Sequence, residues 1–460
     1  MENEKAFRLE REPVGKLLFS LALPSVISQL VMAIYNIVDR IFIGHIPGVG
    51  AAALTGVGIA GPAIMLVVAF ANLIGMGSAS RAAIHMGKGE KEHSEKIVGN
   101  AFIMVIITAI LLTVAFLIFK VPLLKAFGAG PESLSYAVEY STIYMLGTVF
   151  VLLSSVLNMF IATQGFTGTS MFIVSSGAII NIGLDGLFIF GLNMGVKGAA
   201  AATVISQAVS GILAVKFLRG KKTLIKIKKE NFKLDKNIIK PCLALGTAPF
   251  VMMATESILL ICFNSSLVRY GGEMAVGAMT IAGSIMQCGL LIITGITQGG
   301  QPIISYNFGA NRIDRVKKAV KLQTASCFTW STLVWIFVMI FPQIAVGIFT
   351  GDPELLDLSR WAVRIYGAGM LMLGIQISCQ QAFIALGNAK TSTFLAFFRK
   401  LIMLIPLIYI LPHIFEDKVM AVFLAEPISD ITAAMVTFIM FVMQFKKIYG
   451  KFENEQTVKL

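Results

Sequence analysis

The sequence predicts an all-α polytopic membrane protein, with 12 transmembrane helices in two parallel six-helix lobes related by a pseudo-two-fold axis along the membrane normal. Three observations carry this prediction. Only 14% of the residues are charged and 56% are hydrophobic, against about 25% charged in ordinary soluble domains; mean hydropathy is +0.81. The apolar runs are long and continuous, as helices need, unlike the short alternating segments of a membrane barrel. Finally, the second half of the chain echoes the first.

Pro, Gly and charge clusters divide the chain into spans near 17–43, 51–75, 97–119, 137–162, 170–190, 196–218, 241–267, 275–300, 321–348, 361–386, 394–412 and 419–445. The polar leader MENEKAFRLEREPVGK carries no signal-peptide cleavage pattern, so the first span is expected to stay in the membrane. Inner loops are expected at 81–96, 163–169, 219–240, 307–320 and 387–400, because 219–240 (RGKKTLIKIKKENFKLDKNIIK) and 307–320 concentrate Lys and Arg. Outer loops such as HIPGVG and GDPELLDLSR are poorer in cations. This asymmetry puts both termini in the cytoplasm of a cell (inner or plasma) membrane, and it accounts for the net charge of +13 without nucleic acid. The basic 219–240 stretch reads as a solvated linker, with lipid headgroup contact as a secondary role.

The repeat fixes the organisation. Pro24 aligns with Pro249 and Asp39 with Asn264; AALTGVGIA at 52–60 resembles VGAMTIAGS at 276–284, and FIATQGFTGTSM at 160–171 resembles FIALGNAKTSTF at 383–394. Six spans per copy return the chain to the same side, hence parallel lobes: residues 1–218, a connector at 219–240, a second lobe at 241–446 and a tail at 447–460. Parallel repeats of this kind place a substrate site between the halves and allow alternating access.

The chemistry is expected where ionisable groups enter the membrane. Asp39 lies inside PSVISQLVMAIYNIVDRIFIG, with Asn36, Tyr35, Met32, Gln29 and Ser25 at helical steps before it. A carboxylate at that depth is costly and points to function. Asn181 and Asp185, four apart on the fifth span, Thr203 on the sixth and Tyr140 on the fourth fall at a similar depth. Two carboxylates in one such pocket need a cation, H⁺ or Na⁺, since they cannot both ionise cheaply. The alternative is a hydrogen-bonded network that only holds helices together. The second half has no copy of this group: Glu256 is the acid of the seventh span, and Glu426 and Asp430 lie on the twelfth, where they either reach the interface or sit buried. Pro24 and Pro249 should let their helices bend. The 23 Met and 33 Phe suit lipophilic or cationic small molecules but serve equally in packing.

No phosphate-binding G-x-x-x-x-G-K-[ST] loop occurs, the four histidines are scattered, and the five cysteines lie apart in apolar runs. No ATP-driven, metalloprotease, metal-cofactor or disulfide reading is supported, and no enzyme is expected.

Together, PSVISQLV…YNIVDRIFIG, MGKGEKE, NIGLDGLFIFG and the duplicated six spans resemble the multidrug and toxic compound extrusion (MATE) family over nearly the whole chain, most closely its bacterial MepA- and DinF-like branch. The resemblance implies cation-coupled (H⁺ or Na⁺) export of lipophilic, often cationic compounds by a monomer in a lipid bilayer, with no cofactor. Its cation site maps onto Asp39, Tyr140, Asn181, Asp185 and Thr203, with Asn158, Glu256, Asn36 and Gln29 as secondary candidates. Pro24 matches a first-helix proline proposed to bend on protonation. Glu256 resembles the seventh-helix acid of the NorM branch, but the Asp that branch carries on its tenth helix is missing, and Gln376, Gln380 and Gln381 stand in the region instead. Rival readings are a flippase for a lipid-linked saccharide, a channel and a membrane enzyme.

Overall fold

The structure, a computed structural model, describes residues 8–457; residues 1–7 of the leader and 458–460 of the expected tail lie outside it. Among the described residues, eleven apolar stretches are long enough to span a bilayer when the bent pair Leu134–Leu146 and Thr148–Thr163 counts as one. The 74-residue helix Lys236–Gly309 is broken at Gly272, whose φ of 65° only glycine adopts readily, so it divides into two spans and the total is twelve.

In chain order these are α1 (Val14–Gly44), α2 (Gly50–Gly87), α3 (Lys91–Ala126), α4 (Leu134–Leu146 and Thr148–Thr163), α5 (Thr167–Asp185), α6 (Gly195–Arg219), α7 (236–271), α8 (273–309), α9 (Ile313–Ile340), α10 (Pro353–Ala385), α11 (Ala389–His413) and α12 (Lys418–Thr457). The helices overrun the expected spans. Loops expected at 81–96 and 307–320 shrink to 88–90 and 310–312, turned by Gly89 (φ 81°) and Asn311 (φ 58°). The ninth span shifts toward the N-terminus: α9 stops at Ile340 because Pro342 has no N–H to continue the ladder and opens a separate short helix, Pro342–Gly347. A larger correction concerns 387–400, which is not a loop. Only residues 386–388 separate α10 from α11, and Arg399 and Lys400 are buried inside α11.

The halves meet along a seam of helix backbones. A Cβ on Gly87 would stand 2.0 Å from the Tyr306 carbonyl oxygen, and one on Gly309 would stand 1.9 Å from that of Ile84. The two contacts are related by one offset, since 309 − 87 and 306 − 84 both equal 222. Further along, Gly77 meets Cys242 of α7, while Gly299 meets Ala22 of α1. Thus α2 leans on α7 and α8, and α8 on α1 and α2, the pattern a two-fold axis between parallel repeats produces. Polar and aromatic pairs stitch the same seam: Gln301 Nε2 donates to Ser80 Oγ (2.5 Å), Gln29 Nε2 to Gln298 Oε1 (3.0 Å), and Phe70 meets Phe250 edge-on at 5.1 Å. Backbone contact this close is how membrane helices gain packing energy when lipid offers no hydrophobic drive.

α1 divides its packing. Leu9, Val14, Leu17 and Leu21 bury against Ile303, Val316 and Phe383 of the second half. Pro24 lies inside the continuous helix; beyond it Val26 and Gln29 still meet Gly295 and Gln298 of α8, and α1 also packs on α5 of the first half. Ser25 and Ser28 return their hydroxyls to the carbonyls of Leu21 and Pro24 (3.0 Å each), a bonding mode that bends helices.

The basic connector is not the solvated linker expected from its charge. Leu224, Ile225 and Ile227 bury in the core of the first half. The Gln164 carboxamide oxygen accepts from the backbone N–H of Leu224 (2.8 Å) and Ile225 (3.0 Å). Phe232 stacks on Phe102 at 4.8 Å, and the Asp235 N–H donates to Asn100 Oδ1 (2.8 Å). Lys228 pairs with Glu95 at 2.6 Å, a hydrogen bond that pushes its ammonium above the usual lysine range. Over residues 225–228 the alternation of apolar and basic residues buries Ile225 and Ile227 and leaves Lys226 and Lys228 half-buried.

Replacing Gly309 with Ala should force α8 away from α2 and lower stability by about 1–3 kcal/mol, read as a lower melting temperature of the purified protein. Gly58→Ala, where a Cβ meets nothing within 4 Å, is expected to leave it unchanged or slightly raised.

Candidate functional site

Four helices converge on one acidic pocket in the first half. α1 presents Asp39 and, one turn earlier, Tyr35. α4 is bent by 55° between its two segments, and the first segment turns Tyr140 and Tyr144 inward, ring centroids 6.3 Å apart. The bend lies on α6, where a Cβ on Gly147 would collide with Val204 at 2.3 Å. α5 carries Asn181 and Asp185, and α6 supplies Thr203. Asp185 is the last α-helical residue before a π-helical turn, Gly186–Gly191, an irregularity often found at functional positions.

Asp39, Tyr140, Asn181, Asp185 and Thr203 are all buried. The sequence-predicted group is therefore a spatial cluster. The Asp39 and Asp185 carboxyls face each other within hydrogen-bonding reach, and Tyr35 and Tyr140 turn toward the Thr203 hydroxyl. With its amide oriented to satisfy both neighbours, Asn181 donates to Asp185 Oδ2 (2.8 Å) and accepts from the Thr203 N–H (3.2 Å). Oδ1 of Asp39 and Oδ1 of Asp185 are buried and have no hydrogen-bond partner among the described residues. Two facing carboxylates of like charge need a positive ion or a shared proton between them. The pocket offers oxygen donors, which suit H⁺ or Na⁺. Among the described residues no group of three or more His, Cys, Asp or Glu could hold a heavier metal.

The secondary candidates separate. Tyr35 and Asn36 flank Asp39 on opposite sides, roughly 40° one way and 60° the other around the helix. Tyr35 is half-buried and turns toward Thr203 of α6, while Asn36 is exposed and donates back to the Met32 carbonyl (2.7 Å). Gln29 belongs to the seam. Asn158, buried on the second segment of α4, donates to Ser154 of its own helix (3.0 Å) and takes no part in the cluster's hydrogen bonds. Sequence steps alone had put Tyr35 on this face without marking it as a site residue.

The second half holds a different arrangement, which the sequence reading missed by placing Arg399 and Lys400 in a loop. Lys400 Nζ lies 3.0 Å from Glu256 Oε1, Arg399 Nε donates to Asp430 Oδ1 (2.7 Å), and Arg399 Nη2 lies 3.6 Å from Glu426 Oε1. Glu426 and Asp430 thus do not reach an interface; both are buried. The two bases sit on a π-helical turn, Phe398–Leu404. The only sequence cue was their position inside the apolar run FLAFFRKLIML. Gln376 donates to Gln380 (2.6 Å), an internal amide pair where an acid would have been needed for a second cation cluster like that of the first half.

Two six-helix repeats sharing a backbone seam, one of them enclosing an acidic pocket, define a multi-pass membrane transporter. The MatE family model matches residues 24–187 and again 249–410, once in each repeat, so the chain belongs to that family. Its curated relatives place it in the MepA-like branch. It is 25% identical over 440 residues to the multidrug export protein MepA of Staphylococcus haemolyticus (strain JCSC1435), covering 95% of this chain and 96% of that one. It is 24% identical over 442 residues to MepA of Staphylococcus aureus (strain MSSA476), covering 96% and 97%. Among solved structures it resembles a multidrug resistance MATE family transporter of the MOP superfamily in an outward-facing conformation, with TM-score 0.89, 25% identity and 96% and 98% coverage. It also resembles a MATE protein in a bent conformation, with TM-score 0.91, 25% identity and 97% and 99% coverage.

Arg399→Ala should strand Asp430 and Glu426 as unpaired buried acids and cost about 3–5 kcal/mol of stability. Lys400→Ala should cost less, because its partner Glu256 has 47% of its side chain exposed. Melting temperatures of the two purified variants test the order.

Proposed function

We propose that the protein is a cation-coupled multidrug efflux antiporter, exporting lipophilic, often cationic compounds by alternating access. It would work as a monomer in the cell membrane, with both termini in the cytoplasm. The observation that carries the reading is the buried Asp39–Asp185 pair with an unpartnered oxygen on each residue. Such a pocket binds a cation in one state of the helices and releases it in another. When cation and cargo favour opposite states, the inward flow of one drives the other out. Tyr140, Asn181 and Thr203 position the carboxyls, and Tyr35 joins them. α1 carries Asp39 of the cation pocket and also meets α8 on both sides of Pro24 (Ala22 with Gly299, Val26 with Gly295, Gln29 with Gln298), so a change in carboxyl charge has a mechanical route to the seam. The relatives' names, multidrug export proteins, agree with this cargo. A carrier of anionic lipid-linked saccharide would need free basic groups in its cavity, whereas Arg399 and Lys400 are tied to carboxylates.

The test is efflux of a fluorescent organic cation from vesicles, with pH and sodium gradients imposed separately. One gradient should suffice to drive export; export driven by neither overturns the reading. Asp39→Asn should cut gradient-driven export by about 5–150-fold, the size of an ordinary coupling energy, while the protein stays folded in the membrane. Undiminished export by that variant would equally sink it.

A further inference from the structure

We propose that the second half holds a proton of its own, on Glu426, at the centre of a charge cluster that this single proton brings to neutrality. Three acids, Glu256, Glu426 and Asp430, face two bases, Arg399 and Lys400, so full ionisation leaves one surplus negative charge (3 − 2 = 1). The bases are already assigned. Lys400 is held by Glu256 at 3.0 Å, and Arg399 gives its Nε–H to Asp430 at 2.7 Å. Glu426 is left with Arg399 Nη2 at 3.6 Å, longer than a hydrogen bond, although 92% of the residue is out of contact with solvent (8% exposed).

The groups that face Glu426 come from every neighbouring helix. They are Glu256 of α7, Tyr366 of α10, Arg399 and Lys400 of α11, and Asp430 one turn along α12 itself. Tyr366 adds no charge near neutral pH. No free cation is therefore at hand for the third acid, and a buried carboxylate without one is disfavoured against its protonated form. A proton on Glu426 lets its O–H act as a donor and leaves two matched ion pairs. A sodium ion would serve poorly, because Arg399 already occupies the electrostatic centre of the acids.

The position is separate from the Asp39 pocket, which lies in the other repeat on α1, α4, α5 and α6. The claim does not rest on the antiport reading: Glu426 would keep its proton even if Asp39 drove nothing. It also has an entry. Glu256 is the half-exposed member, and α7 is a seam helix, so the cluster runs from an accessible surface to the packed faces of α11 and α12.

The test is infrared difference spectroscopy of the full chain in lipid vesicles across a pH step, which reads the carbonyl band of a protonated carboxyl. Glu426→Gln keeps the side chain's shape and the neutrality of the protonated form but removes the titratable proton; it should lose one such band. Asp39→Asn combined with Asp185→Asn should keep that band. If the Glu426→Gln spectrum matches the unmodified protein, or if the double variant loses the same band, the proposal fails. Should Glu426→Gln not accumulate, the unmodified chain grown with carbon-13 glutamate gives the answer: a titrating band must shift with the label, and an unshifted spectrum overturns the proposal. Glu256→Gln, expected to leave the shifted band in place, assigns it to Glu426, and its loss there would give the proton to Glu256 instead.

Discussion

Inside a bilayer there is no salt and little water to neutralise a charge, so each ionised side chain must find its opposite within the protein. The architecture of this transporter follows from two different answers to that constraint. In the second half the opposite charge is built in: Arg399 and Lys400 sit on one π-helical turn, and consecutive residues reach α12 and α7 respectively. In the first half the base beside Asp39 is the exposed Arg40, and inside the pocket Asp39 faces Asp185. Two copies of one ancestral six-helix unit have thus become unlike in the property that matters most for work. One pairs two of its three acids with built-in bases; in the other, two acids face each other.

That asymmetry is carried by a nearly symmetric scaffold. The reciprocal contacts of Gly87 with Tyr306 and Gly309 with Ile84 hold α2 and α8 at backbone distance. Seam contacts of this kind depend on shape alone and make no demand on charge, so the pockets on either side can differ without disturbing them. α1 joins the two regimes, with Val14, Leu17 and Leu21 in the core of the second half and Asp39 in the pocket of the first.

Much of the fold was legible in the sequence, because a span is a local property: about 20 apolar residues declare themselves without reference to any partner. The depth of Asp39, Tyr140, Asn181, Asp185 and Thr203 was legible for the same reason, by counting from the ends of spans. What depth does not give is rotation. Asn36 and Tyr35 both neighbour Asp39 on a helical wheel, and only the packed structure, with Tyr35 turned toward Thr203 and Asn36 exposed, decides between them. Arg399 and Lys400 fell in both the expected loop 387–400 and the expected span 394–412, because two bases inside an apolar run pull its boundary toward them; their partners lie 31 residues away on α12 and 144 residues back on α7. The connector misled in a similar way, since its lysines were visible and the Gln164 that caps its backbone was not.

The pinning of that connector has a mechanical consequence. Residues 223–235 are fastened to the first repeat by Gln164, Glu95, Phe102 and Asn100, so the strand joining the lobes carries no slack. The fastening continues into α7, where Ile238 and Cys242 bury in the same first-repeat core and Gly246 meets Leu73. The opening turns of the second lobe's first helix therefore travel with the first lobe, closer to a bolted flange than to a rope.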